Sequence, residues 1–419
     1  VTTAALNRDG TNLAYGLSNP WDFPGLARGP AHGLVALLLI ALGFERLALS
    51  LKLSSSGVAA IRKAAQTKLN ACLQKRSLSP SGCGFSVFLP GYEQARGIGC
   101  MAHAIGYPAL IPDEANARVE LTENGTIRVY SGVSDMGQGN ACAYLRIAGE
   151  ILNQDPATME VIQPDTDHGL PSGTSSASRT TYTFGNAVIQ AAGSLKEVIL
   201  RSGARCLEVE DIDSLELVPG AVRIKGSGRK AALRDVAALI DAGGRSCKGY
   251  FRTPHDESTL EIMYLGTHVL FSYGAHLARI EVDTLTGRID VVDYVAVTDA
   301  GRVLNRTQYD QQVQGSIAQG IGYALMEDYI VKDGRHETGD LATYIVPTSL
   351  DVPDMVSIAV ETDETTGPFG MKGIGEVVIS GCVPAIANAF HDACGVRITR
   401  VPLTPERVLS ALAGQGGEE

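Results

Sequence analysis

Gly367-Pro368-Phe369-Gly370-Met371-Lys372-Gly373-Ile374-Gly375-Glu376 is the stretch on which the reading of this chain turns. Four glycines fall within nine residues, and glycine admits positive backbone torsions and lets main-chain N–H groups approach an anion closely. The run ends in one carboxylate, Glu376, ahead of a helix expected from Pro384 through Phe390 to a stop at Gly395. A carboxylate delivered by a rigid loop in front of a helix suits a general base. A glycine-rich connection carrying one solvated Glu accounts for the same residues.

Two earlier stretches have the same character. Alternating residues 118–122 and 126–130 predict a hairpin across Glu123-Asn124-Gly125, which leads into Met136-Gly137-Gln138-Gly139-Asn140. Asn140 is expected to cap a helix carrying Tyr144, Leu145, Ala148, Ile151 and Leu152, whose free N–H donors would favour an anionic ligand. An ordinary hairpin-to-helix turn is the alternative. After a strand expected at 159–162 come Ser175, Ser176, Ala177, Ser178, Arg179, Thr180 and Thr181, ahead of a helix with Val188, Ile189, Ala192, Leu195 and Val198. Hydroxyls and a guanidinium at a helix start suit phosphate, and a polar surface loop would look similar. His168 alone points to no metal site.

The remaining pattern is that of a large, loop-rich chain. Its 419 residues exceed a single domain of roughly 100 to 200 residues, so two or three lobes are expected. With 45% hydrophobic residues, 19% charged and 47 glycines it reads as globular, and a net charge of -11 argues against nonspecific nucleic-acid binding. Cys72, Cys83, Cys100, Cys142, Cys206, Cys247, Cys382 and Cys394 form no close ligand pair, which argues against an iron–sulfur cluster or structural zinc within this chain. Scattered thiols suit a reducing, cytoplasmic setting. The apolar block 34–44 is too short for a membrane span of about 20 residues and reads as a buried helix, with no basic segment ahead of it to suggest a signal peptide.

Residues 57–73 read as a basic amphipathic helix, and Ser79-Pro80-Ser81-Gly82 as a loop closing an atypical N-terminal region, 1–90. Residues 96–103 partly match a dinucleotide-binding fingerprint, without the preceding strand that motif needs. Further on, the pattern predicts a hairpin around Pro219-Gly220, a helix at 233–240, strands at 269–273, 280–282 and 289–297, and a glycine-bearing helix at 312–325. Those glycines permit close packing of one backbone on another or on a flat ligand. Thr404 and Pro405 mark a terminal helix.

Taken in order, Met136-Gly137-Gln138-Gly139, Ala177-Ser178-Arg179-Thr180 and Lys372-Gly373-Ile374-Gly375-Glu376 resemble the molybdopterin-binding large subunit of the xanthine dehydrogenase and aldehyde oxidase family, in its C-terminal half. Ala278-Arg279-Ile280-Glu281-Val282-Asp283 and Asp299-Ala300-Gly301-Arg302-Val303-Leu304-Asn305 fit the same pattern, and the resemblance spans roughly residues 95–412. Arg306, Gln311 and Met371 depart from residues common in the family, and Met371 is expected to reshape the pocket beside Glu376.

The resemblance implies an α+β fold, with mixed sheets, packed helices and a two-lobed cofactor-binding domain over 91–419, its lobes near 91–260 and 261–419. It implies a molybdenum–molybdopterin cofactor, extended in some members as a cytosine dinucleotide, with no iron–sulfur or FAD group in this chain. Gln138 would lie near an oxygen ligand of molybdenum, with Met136, Gly137 and Gly139 beside it. Residues 175–181 would hold pterin or phosphate, Lys372, Gly373, Ile374 and Gly375 would line the cofactor, and Glu376 would be the base. No protein side chain is expected on the metal. The implied reaction is hydroxylation of a heteroaromatic ring or aldehyde with water-derived oxygen. The implied partners are a second molybdenum-subunit half, a 2Fe-2S subunit, commonly an FAD subunit, and a small-molecule substrate. A noncatalytic assembly or scaffold subunit that kept the fold is the rival reading, and a hydrolase using Glu376 lacks a supporting nucleophile motif.

Overall fold

The computed structural model describes residues 2–6, 92–109, 111–255 and 268–414, and from residue 93 onward burial with period two marks the strands and burial at helical spacing the helices. In chain order the strands of the main sheets are β1 (Thr2–Leu6), β2 (Tyr92–Ile105), β3 (Glu114–Leu121), β4 (Ile127–Tyr130) and β5 (Glu160–Ile162). Helices α1 (Asn140–Leu152) and α2 (Thr180–Leu207) follow β4 and β5. Next come β6 (Leu215–Val218), β7 (Ala221–Ile224), β8 (Lys230–Ala232), α3 (Leu233–Ala238) and β9 (Ser246–Arg252). The last part holds β10 (Leu270–Asp283), β11 (Ile289–Asp299), α4 (Arg306–Leu325), the short pair β12 (Val331–Lys332) and β13 (Arg335–His336), and β14 (Asp354–Val360). It closes with α5 (Val377–Ser380), α6 (Cys382–Cys394) and α7 (Pro405–Leu412).

The first sheet has the order β5-β4-β3-β9, and β3 buries Ala115, Ala117, Val119 and Leu121 on one face. Against that face lie α1 and α2, whose Tyr144, Ile147, Phe184, Val188 and Leu195 are fully or almost fully buried. Each such large side chain contributes roughly 1.5–3 kcal/mol on burial. The hairpin expected across Asn124-Gly125 is β3–β4, with Gly125 at φ 84°.

The second sheet has the order β1-β2-β10-β11-β14 and is covered by α4 and α6. Residues 96–103, which partly match a nucleotide fingerprint, lie inside β2 and form no phosphate loop. Their glycines serve packing: a Cβ on Gly97 would lie 2.0 Å from the Ala385 carbonyl oxygen, and one on Gly99 2.5 Å from that of Gly381, so α6 sits directly on this strand. β2 also pairs with β10 along its length, with His103 opposite Ser272. Residues 92–105 thus belong to the sheet of the later segment, because β-pairing is non-local and a cut by chain position cannot see it.

The helix expected from Pro384 begins earlier, at Cys382, just after the short turn α5, and stops at Gly395 in the left-handed conformation as expected. Thr404 caps α7 through its hydroxyl, which accepts from the Arg407 N–H at 3.4 Å. Residues 377–394 are apolar and long enough to cross a membrane by composition, but half of that stretch is buried and Gly381 divides it into two helices. The helices expected at 34–44 and 57–73 and the loop at 79–82 lie outside the described residues.

Candidate active site

The three glycine- and serine-rich loops converge because each ends where a helix begins. Residues 136–139 open α1, residues 175–179 open α2 and residues 372–376 open α5. They border one cleft of about 740 Å³, within the usual range for small-molecule sites of roughly 300–1,000 Å³. Met136, Gly137, Gln138, Gly139, Ser175, Ser176, Ser178, Arg179, Thr180, Thr181, Lys372, Gly373, Ile374, Gly375 and Glu376 all line it. Ala177 does not; its carbonyl turns back to accept the Gly106 N–H at 2.8 Å.

The first loop is held by a carboxylate that the sequence reading passed over. Asp135 Oδ1 accepts from the Gly137 and Gly139 N–H groups at 3.0 and 3.1 Å, and Oδ2 from Ala141 N–H at 2.9 Å. Burial pushes the Asp135 carboxyl up, but these three N–H groups outweigh it and hold the acid below the ordinary carboxylate range. The anion at the start of α1 is therefore internal, which corrects the expectation of an external ligand there. Asn140 does not cap the helix either: it is the first helical residue, and its side chain reaches the hydroxyls of Ser175 and Thr180 at 3.4 Å. Gln138 joins loop to loop, its amide nitrogen donating to the Ser134 carbonyl and the Ser175 hydroxyl, each at 3.1 Å. Its carbonyl oxygen accepts from the Met136 N–H at 2.5 Å.

Both cations expected around the cofactor turn into the protein. Arg179 is 1% exposed; its guanidinium pairs with Asp113 and donates to the carbonyls of Ser172 at 2.9 Å and Glu114 at 2.6 Å. It shapes the serine loop from behind, and its charge is matched by Asp113 rather than held for a phosphate of the kind expected. Lys372 lines the cleft, but its ammonium pairs with Asp299 at 2.8 Å and donates to the Phe271 carbonyl. Met371 is 3% exposed, packs into the core behind the loop and also lines the cleft, where it was expected. What the cleft offers is main-chain donors and hydroxyls: the N–H groups of Gly373, Ile374 and Gly375 have no protein acceptor among the described residues. Thr180 and Thr181 add first-turn donors of α2, which a helix leaves unsatisfied. Such a surface fits a polar pterin with anionic substituents through hydrogen bonds rather than through side-chain charge.

Glu376 stands at the end of this wall with its side chain 48% exposed. Its Oε2 takes the Ser178 hydroxyl at 3.0 Å and lies 3.3 Å from His103 Nε2, while its own N–H donates to Ser178 Oγ at 3.1 Å. Oε1 has no hydrogen-bond partner among the described residues. The His103 contact holds the carboxyl below its ordinary value, burial opposes that, and Ser178 adds to the lowering, so the group is an ionised base at neutral pH. Ala177 and Ser178 are held at φ 52° and 51°, costing roughly 1–2 kcal/mol each, and that backbone carries Ser178 to the carboxylate.

Two contributors escaped the sequence reading. His103 looked like part of a nucleotide fingerprint, and only the pairing of β2 brings it here. The polar stripe Gln308, Gln312 and Gln319 was legible at helical spacing on α4. It lines the cleft, with Gln308 Nε2 donating to the Gly139 carbonyl at 3.1 Å and Gln312 Nε2 to that of Gln138 at 3.3 Å. Of the α4 glycines, Gly320 faces the Cys382 side chain, which is the packing alternative of the two considered.

Residues 89–353 match the family model of a molybdopterin cofactor-binding domain. The chain is 34% identical over 319 residues to "Probable hypoxanthine oxidase XdhD" of Escherichia coli, covering 76% of this chain and 32% of that protein. It is 33% identical to the 6-hydroxypseudooxynicotine dehydrogenase complex subunit gamma of Paenarthrobacter nicotinovorans, covering 71% and 37%. Its fold superimposes on aldehyde oxidoreductase from Desulfovibrio gigas with a TM-score of 0.64 at 26% identity, covering 85% of this chain and 35% of the other. The chain spans about a third of the length of these proteins. With a family model over most of its length and relatives above 30% identity over more than two thirds of it, the chain belongs to the molybdopterin-binding domains of the xanthine dehydrogenase and aldehyde oxidoreductase family.

Proposed function

We propose that this chain forms the molybdenum-cofactor half of a hydroxylase acting on a heteroaromatic ring or an aldehyde, with Glu376 as its base. The observation that carries the proposal is the Glu376 carboxylate itself: half-exposed on the cleft wall, one oxygen anchored and the other without a protein donor. A base needs that combination of fixed position and available lone pair.

The molybdenum–pterin group would supply the two-electron redox chemistry. The chain's residues bind, orient and move a proton. The main chain of 373–375, the first turn of α2 and the hydroxyls of Ser175 and Ser176 would hold the pterin, in its simple or its cytosine dinucleotide form. Gln138 keeps the first loop against the serine loop and would lie near an oxygen on the metal. Glu376 takes the proton released as oxygen is transferred to the substrate carbon, and Ser178 steadies the carboxylate while it does so. Electrons would leave through a 2Fe-2S partner and commonly an FAD partner, in a cytoplasmic setting. The remaining domain of the molybdenum subunit would come from a second polypeptide or from more of this protein.

Purification of the native complex, with molybdenum, iron and released pterin measured per chain, tests the reading. Stoichiometric molybdenum and pterin are expected, with iron arriving only with another polypeptide. A native complex lacking both molybdenum and pterin under conditions that preserve them would overturn it.

A further inference from the structure

We infer that His103 is a positioning residue for Glu376, fixing Oε2 so that Oε1 remains the single carboxylate oxygen able to take a proton. The inference rests on the reading of Glu376 as the base. His103 lies 273 positions earlier in the chain, on a strand otherwise occupied with sheet pairing, and is 8% exposed. Its partner across the sheet is Ser272, whose hydroxyl donates to the Gly373 carbonyl at 3.1 Å. Two paired residues on β2 and β10 therefore grip the same loop on either side of Ile374 and Gly375. Ser178 supplies the third hold from the opposite wall.

The ring chemistry agrees with this role. To donate to Oε2, Nε2 must carry a proton, and Nδ1 is buried with no partner among the described residues. Among the described residues nothing thus competes with Glu376 for the orientation of the ring. Among the other charged groups around this point, Lys372 is turned to Asp299, and His268 is near enough to His103 and to His255 to feel the charge of each. Removing the His103 contact takes away the main influence that lowers the Glu376 carboxyl, so its protonation should move to higher pH.

The test is the pH dependence with which a water-soluble carbodiimide, which modifies the protonated acid, labels Glu376 in the native complex, read by peptide mass spectrometry. His103→Phe keeps ring volume without a donor and is expected to shift the labelling midpoint upward. Turnover per bound molybdenum should fall roughly 10-fold with KM held, the loss of about one hydrogen bond to a charged group. His103→Asn, which keeps an N–H donor, should restore part of both. An unshifted midpoint in a folded His103→Phe protein overturns the inference. If that variant does not fold, the 15N signal of His103 in the wild-type complex decides: a step at the Glu376 midpoint supports the contact and a flat signal refutes it. Labelling is read whatever the molybdenum content, so failure of the His103 role and failure of the hydroxylase reading are separate outcomes.

Discussion

Gly373 and Gly375 sit two residues apart in one loop, and the structure assigns them opposite tolerances. A Cβ on Gly373 would lie 1.7 Å from the Ser178 carbonyl oxygen and 2.8 Å from its carbonyl carbon, both main-chain atoms. Ordinary contact begins near 3.4 Å, so the two loops would have to part by about 1.7 Å. Ser178 has little room to yield, since its backbone is already in the left-handed region and its hydroxyl is bonded to Glu376 at both the N–H and the carboxylate. Gly373→Ala should therefore cost roughly 1–3 kcal/mol of overpacking strain, and displacing the base by about 1 Å should lower turnover by about 100-fold. A Cβ on Gly375 meets only Ser178 Oγ, at 3.6 Å, and Gly375→Ala should unfold within about 0.5 kcal/mol of wild type. Urea unfolding of the two variants measures the difference directly. Equal stability of the two would refute the close approach of residues 373 and 178.

Other consequences follow from the same packing. Gly193 lies inside α2 with nothing within 4 Å of a Cβ, so Gly193→Ala should stabilise by roughly 0.5–1 kcal/mol in thermal or urea unfolding. Lys372→Met would leave Asp299 buried and unpaired, at a cost of about 3–5 kcal/mol by chemical denaturation. Asp135 is depressed in the fold, so its contribution is present above the unfolded carboxylate value and fades as pH falls through the folded one. Asp135→Asn should lose about 1 kcal/mol at neutral pH, and the gap from wild type should close below pH of about 4 when urea midpoints are followed during acidification.

Much of this architecture was legible because its signals are local. The hairpin at Asn124-Gly125, the cap at Thr404 and the stop at Gly395 each depend on a few neighbouring residues. The three loops were legible as unusual sequence, and their order carried the family resemblance. What the sequence could not show is direction. Arg179 and Lys372 look like ligands for an anion until Asp113 and Asp299, brought from 66 and 73 residues away, claim them. Asp135 was visible, but only the positive torsions of Gly137 and Gly139 fold the loop back around it in place of an outside anion. Gly97 and Gly99 matched a phosphate motif by spacing, whereas their actual constraint is the approach of α6, set by contacts nearly 290 residues away. His103 was hidden for the same reason.

The central claim is that Glu376 is the base of a molybdenum hydroxylase site, and turnover per bound molybdenum in the Glu376→Gln complex tests it most directly. The carboxamide keeps size and a hydrogen-bonding oxygen for Ser178 but has no basic lone pair at neutral pH. Turnover is expected to fall roughly 100- to 10,000-fold with molybdenum, pterin and thermal stability unchanged. Near-normal turnover in a fully loaded Glu376→Gln complex would contradict the account.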